Sequence, residues 1–371
     1  MKFKFFLKTV IFLIILFGMI YFSVIQINNK RNVMDIEEYS PVSTLVVPEN
    51  KVYKSKFPFV DIHSHHFDMP VKDLKKVVNE MDSLNMGFMV NLSGFRGVFL
   101  KESLDNVKEN APTRLGVFVN LDFEEVDDDD FVSKNLKILN DAKKIGAIGL
   151  KVYKSLGLTD KDKNGNRIAV NDKRLEAIWD ECGKLGFPVL IHSADPASFW
   201  QPKDKYNERW LELRQKPNRY RDPNKYPSFD SIMSEQDELF KKHKNTTFIN
   251  AHLGWMGNNL DKLGSHLDKF PNVVTEMGAV LAELGRQPIR ARKFLIDYQD
   301  RVLFGKDAYN ISEYFVYFRV LETSDEYFDY YRKRHAHWKM YGLSLPDSVL
   351  KKIYYKNALR ILPSINKNLF E

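Results

Sequence analysis

Three histidines lie within four positions in the segment DIHSHH at residues 61–66, directly after an apolar run. Side chains alternate between the two faces of a strand, so Asp61, His63 and His65 are expected on one face. Two imidazoles on one strand face can bind a single divalent ion, whereas a buried polar cluster is the alternative interpretation. The spacing predicts a metal site, provided that other segments of the chain supply further ligands.

Eight short apolar runs begin at residue 57, and a longer amphipathic segment follows each of them. The runs occupy residues 57–66, 87–94, 114–122, 145–153, 187–196, 246–254, 272–279 and 301–308. Apolar strands that alternate with amphipathic helices predict an α/β protein with a parallel sheet. Eight such units in about 250 residues match a (β/α)8 TIM barrel. A doubly wound open sheet is the alternative, but no G-x-G-x-x-G motif follows any run.

Polar side chains collect at the C-terminal ends of these runs, where TIM barrels build their active sites. They are His63, His65, Lys151, His192, His252 and Asp307. A single histidine at a strand end is more often a structural residue than a ligand. Five strands that converge with imidazole, carboxylate and amine groups instead favour a metal centre. Zinc is the expected metal, and manganese or iron would also suit these ligands.

The segments that carry these residues resemble the amidohydrolase superfamily of metal-dependent barrels, and in particular its amidohydrolase-2 branch. The similar segments are DIHSHH, GLKVYKS, VLIHSAD, INAHLG, LFGKDA and the C-terminal GLSLPDSVLKKIYYKNALRIL. The resemblance spans residues 57–365 and implies the barrel fold and metal chemistry. It implies no substrate, because members of the superfamily hydrolyse, deaminate, decarboxylate and isomerise many compounds.

The resemblance also implies two groups of metal ligands. His63, His65 and Asp307 would hold one ion, and His192 and His252 would contribute to a second. In members with two metals, a carboxylated lysine on the fourth strand bridges the ions. The resemblance therefore implies that one or two ions are bound.

Lys151 occupies the position of the bridging lysine, with Lys154 as the less favoured neighbour. Mononuclear members often lack this lysine, and their histidine equivalent to His252 acts on the substrate. Asp307 is expected to move a proton between water and the leaving group. Lys306 stands where the family often has threonine, which weakens any transfer of substrate identity.

The expected function is hydrolysis of an amide, ester or lactone by metal-activated water. The alternatives are a mononuclear decarboxylase or hydratase of the same branch, and a non-catalytic membrane-tethered binding protein. Three residues are expected to contact a small-molecule substrate: Glu276, Trp255 and Arg286. A structural ion pair is the alternative for Arg286. Residues 197–231 form either a lid or a surface excursion, and His335 and His337 are expected to be exposed.

Residues 10–27 form an uncharged, almost wholly apolar run whose 18 residues are close to the lower limit for a membrane span. An uncleaved anchor is favoured over a signal peptide, because no A-x-A-like cleavage site follows the run. The expected organisation is an anchor or signal at residues 1–31, a tether at 32–56 and the barrel at 57–365. The catalytic domain would then be membrane-anchored outside the cytoplasm, or secreted or periplasmic after cleavage.

The net charge of +7 does not indicate a nucleic-acid partner. Residues 1–31 contain five basic side chains and no acidic one, which leaves 51 basic and 49 acidic side chains in the remainder. The excess positive charge therefore belongs to the N-terminus and forms no polyanion-binding face. The one cysteine, Cys182, allows no intrachain disulfide and is expected to be buried. The sequence predicts no particular oligomeric state.

Overall fold

The computed structural model describes residues 2–31, 34–333 and 335–371. The chain divides into two compact units, residues 1–45 and 46–371. The first unit contains helix α1 (Lys2–Arg31). Residues Phe3–Ile27 of this helix have a mean hydropathy of 2.6 and, by length and composition, can cross a membrane. Such a helix serves as a membrane anchor or as a signal sequence.

The second unit contains nine parallel strand segments among its described residues. They are β1 (Phe59–Ser64), β2 (Met86–Asn91), β3 (Leu115–Val117), β4 (Val119–Asn120), β5 (Leu150–Val152), β6 (Val189–Ile191), β7 (Phe248–Asn250), β8 (Val273–Glu276) and β9 (Val302–Leu303). One sheet has the order β1-β2-β3 and the other runs from β4 to β9. Phe118 alone separates β3 from β4, so the two segments form one barrel strand. All eight predicted strands are thereby confirmed.

The barrel closes where the chain beyond β9 meets β1. Ser64 and Asp307 form a parallel β-bridge. The backbone nitrogen of Ile62 donates to the carbonyl of Phe304 at 3.1 Å, and that of Asp307 donates to the carbonyl of His63 at 2.6 Å. Because the last strand pairs with the first, no sheet edge is left open at this seam. The prediction of a (β/α)8 barrel is confirmed.

Helices surround the barrel. They are α2 (Leu74–Leu84), α3 (Gly97–Asn110), α4 (Phe131–Ile145), α5 (Glu176–Leu185), α6 (Trp210–Gln215), α7 (Phe229–Lys242), α8 (Leu260–Lys269), α9 (Leu281–Gly285), α10 (Pro288–Asp297), α11 (Ile311–Glu322), α12 (Asp347–Lys351) and α13 (Asn357–Ile361). Helix α2 shows why such segments fold. Asp73 caps its first turn by accepting from the backbone of Lys76, and Asn85 ends it at φ 68°. Its apolar stripe is buried at a spacing of three and four residues.

Apolar side chains fill the interior of the barrel below its polar end. The cluster includes Val60, Ile62, Val90, Phe118, Leu190, Ile249, Val274 and Leu303. Gly149 on the approach to β5 makes room for this filling, since a Cβ there would lie 2.5 Å from the ring of Phe118. Ala358 and Leu362, in and after α13, belong to the same cluster. Since the interior is packed, functional groups are confined to the C-terminal ends of the strands.

Two connections bear on that end of the barrel. The segment after β6 contains α6. The segment after α11 contains a short antiparallel hairpin of β10 (Phe328–Asp329) and β11 (Lys339–Met340). The compact unit that contains the barrel begins at Val46, within the predicted tether of residues 32–56. Asn50 packs on the barrel unit, where its backbone and side-chain nitrogens donate to the carboxylate of Asp325.

Candidate metal centre

A register shift in β1 controls where the first two predicted ligands lie. Asp61 pairs with Met89 and Ser64 with Asn91, so three residue steps on β1 oppose two on β2. Such a bulge breaks the alternation of side chains between faces. Asp61 consequently faces α11, where it accepts from the hydroxyl of Tyr314 at 2.5 Å. The expectation that Asp61 shares a face with His63 was therefore wrong, since the extra residue turns the histidine into the barrel.

His63, His65 and Asp307 converge at the mouth of the barrel. The Nε2 atoms of the two imidazoles lie 3.2 Å apart. Oδ1 of Asp307 is 3.5 Å from Nε2 of His63 and 3.7 Å from Nε2 of His65. Asp307 has a φ of 79°, a conformation that is unfavourable for a residue with a Cβ. The three side chains together offer ligand atoms close enough to share one ion.

Hydrogen bonds fix the tautomers of two imidazoles. Nδ1 of His63 lies 2.9 Å from Oε1 of Glu276, and Nδ1 of His252 lies 2.7 Å from the carbonyl oxygen of Gly278. An ionised carboxylate and a carbonyl can only accept, so both histidines carry their proton on Nδ1. Each Nε2 atom therefore keeps a lone pair for a cation, as a metal-ligating histidine requires.

A chain of hydroxyl groups does the same for His65. Its Nδ1 atom lies 2.7 Å from Oγ of Ser93, which is 3.0 Å from the hydroxyl of Tyr153. The tyrosine donates to the carbonyl of Leu92 at 3.3 Å. Since the chain ends on an acceptor, the consistent assignment runs from His65 through the serine and the tyrosine to that carbonyl. Ser93 was not among the predicted site residues, although it lies at the C-terminal end of the second apolar run.

Glu276 joins β8 to two other parts of the barrel. Its Oε1 atom accepts from Nδ1 of His63 and from the backbone nitrogen of His252, the latter at 2.7 Å. Its Oε2 atom accepts from the backbone of Gly278 at 2.5 Å, and a Cβ at Gly305 would collide with this atom. The side chain has no solvent exposure. Glu276 was expected to contact substrate, but its carboxylate lies behind the imidazoles and orients them.

His252 approaches both His63 and His192. Its ring centroid is 4.9 Å from that of His63, and its Nε2 atom is 3.2 Å from Nδ1 of His192. His252, Leu253, Gly254 and Trp255 all have φ values between 54° and 59°. This left-handed turn bends the chain sharply after β7 and aims the imidazole at the barrel axis. His192 is half-buried, and its buried Nε2 atom has no hydrogen-bond partner among the described residues.

Lys151 lies on β5 with 1% of its surface exposed. Its Nζ atom has no hydrogen-bond partner among the described residues and is 5.5 Å from the ring centre of Tyr153. Burial lowers the pKa of Lys151 to about 8, although Asp307 and Glu276 act in the opposite direction. A buried amine without a partner is costly, so this position suits a lysine that is chemically modified or binds a ligand. Lys154, the alternative, instead donates to Asp195 at 2.7 Å.

The charge states favour cation binding. Burial lowers the pKa values of His63 and His192 far below the ordinary value, and lowers that of His65 to about 4. The charge of Lys151 contributes to all three shifts. Burial alone would raise the pKa of Asp307, but attraction to the protonated forms of the surrounding imidazoles and to Arg332 outweighs it and lowers that pKa to about 2. Neutral imidazoles around an ionised carboxylate form a donor set that fits a divalent metal.

A cavity of about 520 Å³, its open mouth included, lies against these residues. Its lining comprises Lys154, His192, Asp195, Pro196, Phe199, Arg209, Glu212, Arg219, His252, Trp255, Ala279, Asp307, Arg332 and His335. Four of these belong to residues 197–231, so this segment covers the cavity and is no mere surface excursion. An ion pair holds this covering segment in place, because Arg221 donates to Asp195 from Nε at 2.9 Å and from Nη2 at 2.6 Å.

Trp255 and Arg286 differ in their relation to the cavity. Trp255 lines it, with its ring centroid 4.7 Å from that of His252, as expected of a residue that contacts substrate. Arg286 is absent from the described lining, pairs with Glu208 at 3.0 Å and stacks on Trp338. Its arrangement is that of the structural ion pair.

His335 and Cys182 are both buried. His335 was expected to be exposed, but it is 3% exposed and lines the cavity, because the hairpin carries it inwards. His337 is half-buried. The predicted burial of Cys182 is confirmed.

A family model described as amidohydrolase matches residues 108–363 of this chain. The matched region contains Lys151, His192, His252 and Asp307. It begins after the HxH pair on β1, so that pair rests on the geometry described above. No curated protein sequence matches the chain.

Solved structures share the fold at low sequence identity. An uncharacterised TIM-barrel protein from Bordetella bronchiseptica is 14% identical, with a TM-score of 0.53, over 82% of this chain and 98% of that one. A 2,6-dihydroxybenzoate decarboxylase from Rhizobium is 14% identical, with a TM-score of 0.51, over 83% and 99%. A dihydroxybenzoic acid decarboxylase from a Polaromonas species, with bound manganese, is 12% identical, with a TM-score of 0.51, over 84% and 99%. These likenesses establish the architecture alone.

Proposed function

Because this chain belongs to the amidohydrolase family, whose members bind divalent metal, we propose that it is a metal-dependent hydrolase of a small molecule. The bond cleaved would be an amide, an ester or a lactone. The observation that carries the proposal is the convergence of two imidazole Nε2 atoms, on His63 and His65, with the carboxylate of Asp307. His63 and His65 are each held at Nδ1 by a neighbour outside the described cavity lining, Glu276 and Ser93 respectively.

Two binding positions are proposed for the metal. His63, His65 and Asp307 would hold one ion, His192 and His252 would contribute to a second, and Lys151 would serve both as a carbamate. A divalent cation in such a site lowers the pKa of water to about 7 and polarises a carbonyl group. Zinc suits the imidazole-rich set, and manganese and iron are the alternatives.

The residues of the chain have separable roles in this reaction. Asp307 is ionised at neutral pH, and its side chain is 30% exposed towards the cavity. It accepts a proton from the attacking water and returns it to the leaving group. Glu276 keeps His63 in the required tautomer and positions the backbone of His252, while the carbonyl of Gly278 sets the tautomer of His252. Trp255 forms an apolar wall against which the substrate packs.

Elemental analysis of the full chain, purified in detergent without chelator, tests the proposal. We expect one or two transition-metal ions per chain. The protein should hydrolyse at least one member of a panel of activated esters, lactones and N-acyl amino acids, and Asp307→Asn should abolish that activity. The exposed Asp230→Asn serves as the matched control. A metal content near zero that added zinc or manganese does not raise would reject the enzyme.

A decarboxylase or hydratase with one metal is the second candidate. It is favoured by the cationic groups that line the cavity, among them Lys154 and Arg332, since these suit an acidic substrate. Two of the similar structures are named as decarboxylases. In this reaction His252 would act on the substrate. One ion per chain, together with release of CO₂ from dihydroxybenzoates, would favour this candidate over hydrolysis.

A further inference from the structure

The cavity wall near β5 and β6 carries more positive than negative charge. Asp195 accepts from Lys154 at 2.7 Å and from Arg221 at 2.6 Å, so a single carboxylate serves two cations. Both Asp195 and Arg221 are buried. The side chain of Lys154 is 38% exposed and lines the cavity. One positive charge on this wall is therefore not compensated by a carboxylate of its own.

The wall formed by α11 and the following hairpin repeats this arrangement. Glu313 accepts a hydrogen bond from Nζ of Lys306, and its Oε2 atom lies 3.6 Å from Nη2 of Arg332. Again one carboxylate serves two cations. The Arg332 side chain is 13% exposed, and its buried Nε atom has no hydrogen-bond partner among the described residues. Arg332 thus presents a guanidinium that is only partly satisfied to the cavity.

The remaining arginines of the lining are balanced. Arg209 donates to Glu212 at 2.9 Å and to Glu283 at 2.6 Å, and Arg219 also donates to Glu212. Two cations here face two carboxylates. Asp307, the other acid of the lining, lies against His63 and His65 and is a proposed metal ligand, although the charge of Arg332 also acts on it. The uncompensated charge therefore belongs to the Lys154 wall and the Arg332 wall.

We propose that Arg332 binds an anionic group of the substrate, a carboxylate or a phosphate, and that the cavity selects small organic anions. This inference rests on the proposed catalytic function of the same cavity. A guanidinium offers two parallel N–H donors that match the two oxygens of an oxyanion. The part of the Arg332 side chain that is exposed lines the cavity, so its guanidinium can meet an oxyanion there. A neutral ligand would leave this charge without a partner in a largely buried site.

Binding of benzoate, compared with its neutral isostere benzamide, tests the proposal by calorimetry on the full chain in detergent. The parent protein should bind benzoate more tightly than benzamide. Arg332→Met should weaken benzoate binding by about tenfold or more, as expected for loss of a hydrogen bond between charged groups. The benzoate affinity of Arg332→Lys should lie between those of the parent and Arg332→Met, since lysine keeps the charge but lacks the two parallel N–H donors. The control Arg290→Met removes an exposed arginine outside the cavity and should bind as the parent does.

Inorganic phosphate distinguishes the two anionic groups, because tighter binding of phosphate than of benzoate assigns a phosphate group and the reverse assigns a carboxylate. Repeating the titrations after chelator treatment separates this inference from the proposed function. If the protein binds no metal, the proposed metal-dependent hydrolysis is wrong. The parent should still bind benzoate more tightly than Arg332→Met does. Equal benzoate affinity in both proteins would overturn the anion site. If Arg332→Met does not fold, equal binding of benzoate and benzamide by the parent would overturn it.

Discussion

Glu276 accepts a hydrogen bond from Nδ1 of His63 at 2.9 Å, and this contact joins the first and the last-but-one strands of the barrel behind the candidate metal site. The same oxygen accepts from the backbone of His252. One buried carboxylate thus holds the imidazole of His63 and the backbone of His252, which lie on different parts of the barrel. Groups that orient ligating histidines typically contribute ten- to hundredfold to metal affinity, on the order of 1–3 kcal/mol.

We predict that Glu276→Gln weakens metal binding by about ten- to hundredfold, because the amide accepts more weakly than a carboxylate. Competition with a chromophoric chelator measures the change. Glu102→Gln, on the exposed face of α3, is the control. If Glu276→Gln retains the metal affinity of the parent, the orienting role of this carboxylate is wrong.

Lys151→Ala should lose metal and activity together, because the proposed carbamate bridges the two ions. In the parent protein, the lowered pKa of Lys151 makes available the neutral amine that reaction with CO₂ requires. Short-chain carboxylates should partly restore both properties. Lys154→Ala, whose amine is engaged with Asp195, should keep its metal. Full metal content and activity in Lys151→Ala would favour the mononuclear enzyme, and ¹³C NMR with labelled CO₂ would detect the carbamate directly.

Ser93→Ala removes the acceptor for Nδ1–H of His65 and should weaken metal binding by about tenfold. Ser93→Thr keeps the hydroxyl and should bind metal much as the parent does. Metal titration of the two variants provides the comparison. Equal affinities for alanine and threonine would show that the hydroxyl chain to Tyr153 does not position His65.

Asp195→Asn should destabilise the protein by about 3 kcal/mol or more, because it leaves Arg221 buried without its charge partner. The covering segment, residues 197–231, should also become more susceptible to limited proteolysis. Thermal denaturation measures the first effect, with the exposed Asp230→Asn as the control. Unchanged stability and proteolysis would mean that this ion pair does not fasten the cover.

The full-length chain should partition with membranes, and deletion of residues 2–31 should release it. The apolar length of α1 is the reason for this expectation. Protease added to intact cells should digest the barrel unit if it lies outside the cytoplasm. An intact full-length chain in the soluble cytosol would contradict the anchor, whereas a shortened soluble form outside the cell would indicate a cleaved signal.

The sequence predicted the barrel and its polar end well, because both depend on local periodicity. The strands carrying Lys151, His192 and His252 could be recognised from short apolar runs that end in polar residues. Alternation within a strand was less reliable. The bulge in β1 depends on the register of β1 against β2, which no pattern within β1 reveals.

The cavity wall could not be predicted, since long-range packing creates it. His335 lies in a charged aromatic stretch that predicts an exposed position. The hairpin instead places it against Glu212 of the covering segment. Arg332 reaches the cavity for the same reason. Glu276 was identifiable as an acid at a strand end, but its partner His63 lies 213 positions away.

A crystal structure of the metal-loaded chain, with anomalous scattering recorded at the metal absorption edge, would show whether His63, His65 and Asp307 bind the metal. We predict an anomalous peak about 2.0–2.3 Å from Nε2 of His63 and Nε2 of His65, with Asp307 completing the set. A second peak is expected beside His192 and His252 if Lys151 carries the bridging carbamate. If the metal-loaded protein shows its anomalous peak elsewhere, or shows no ordered metal at these residues, His63, His65 and Asp307 do not form the metal site.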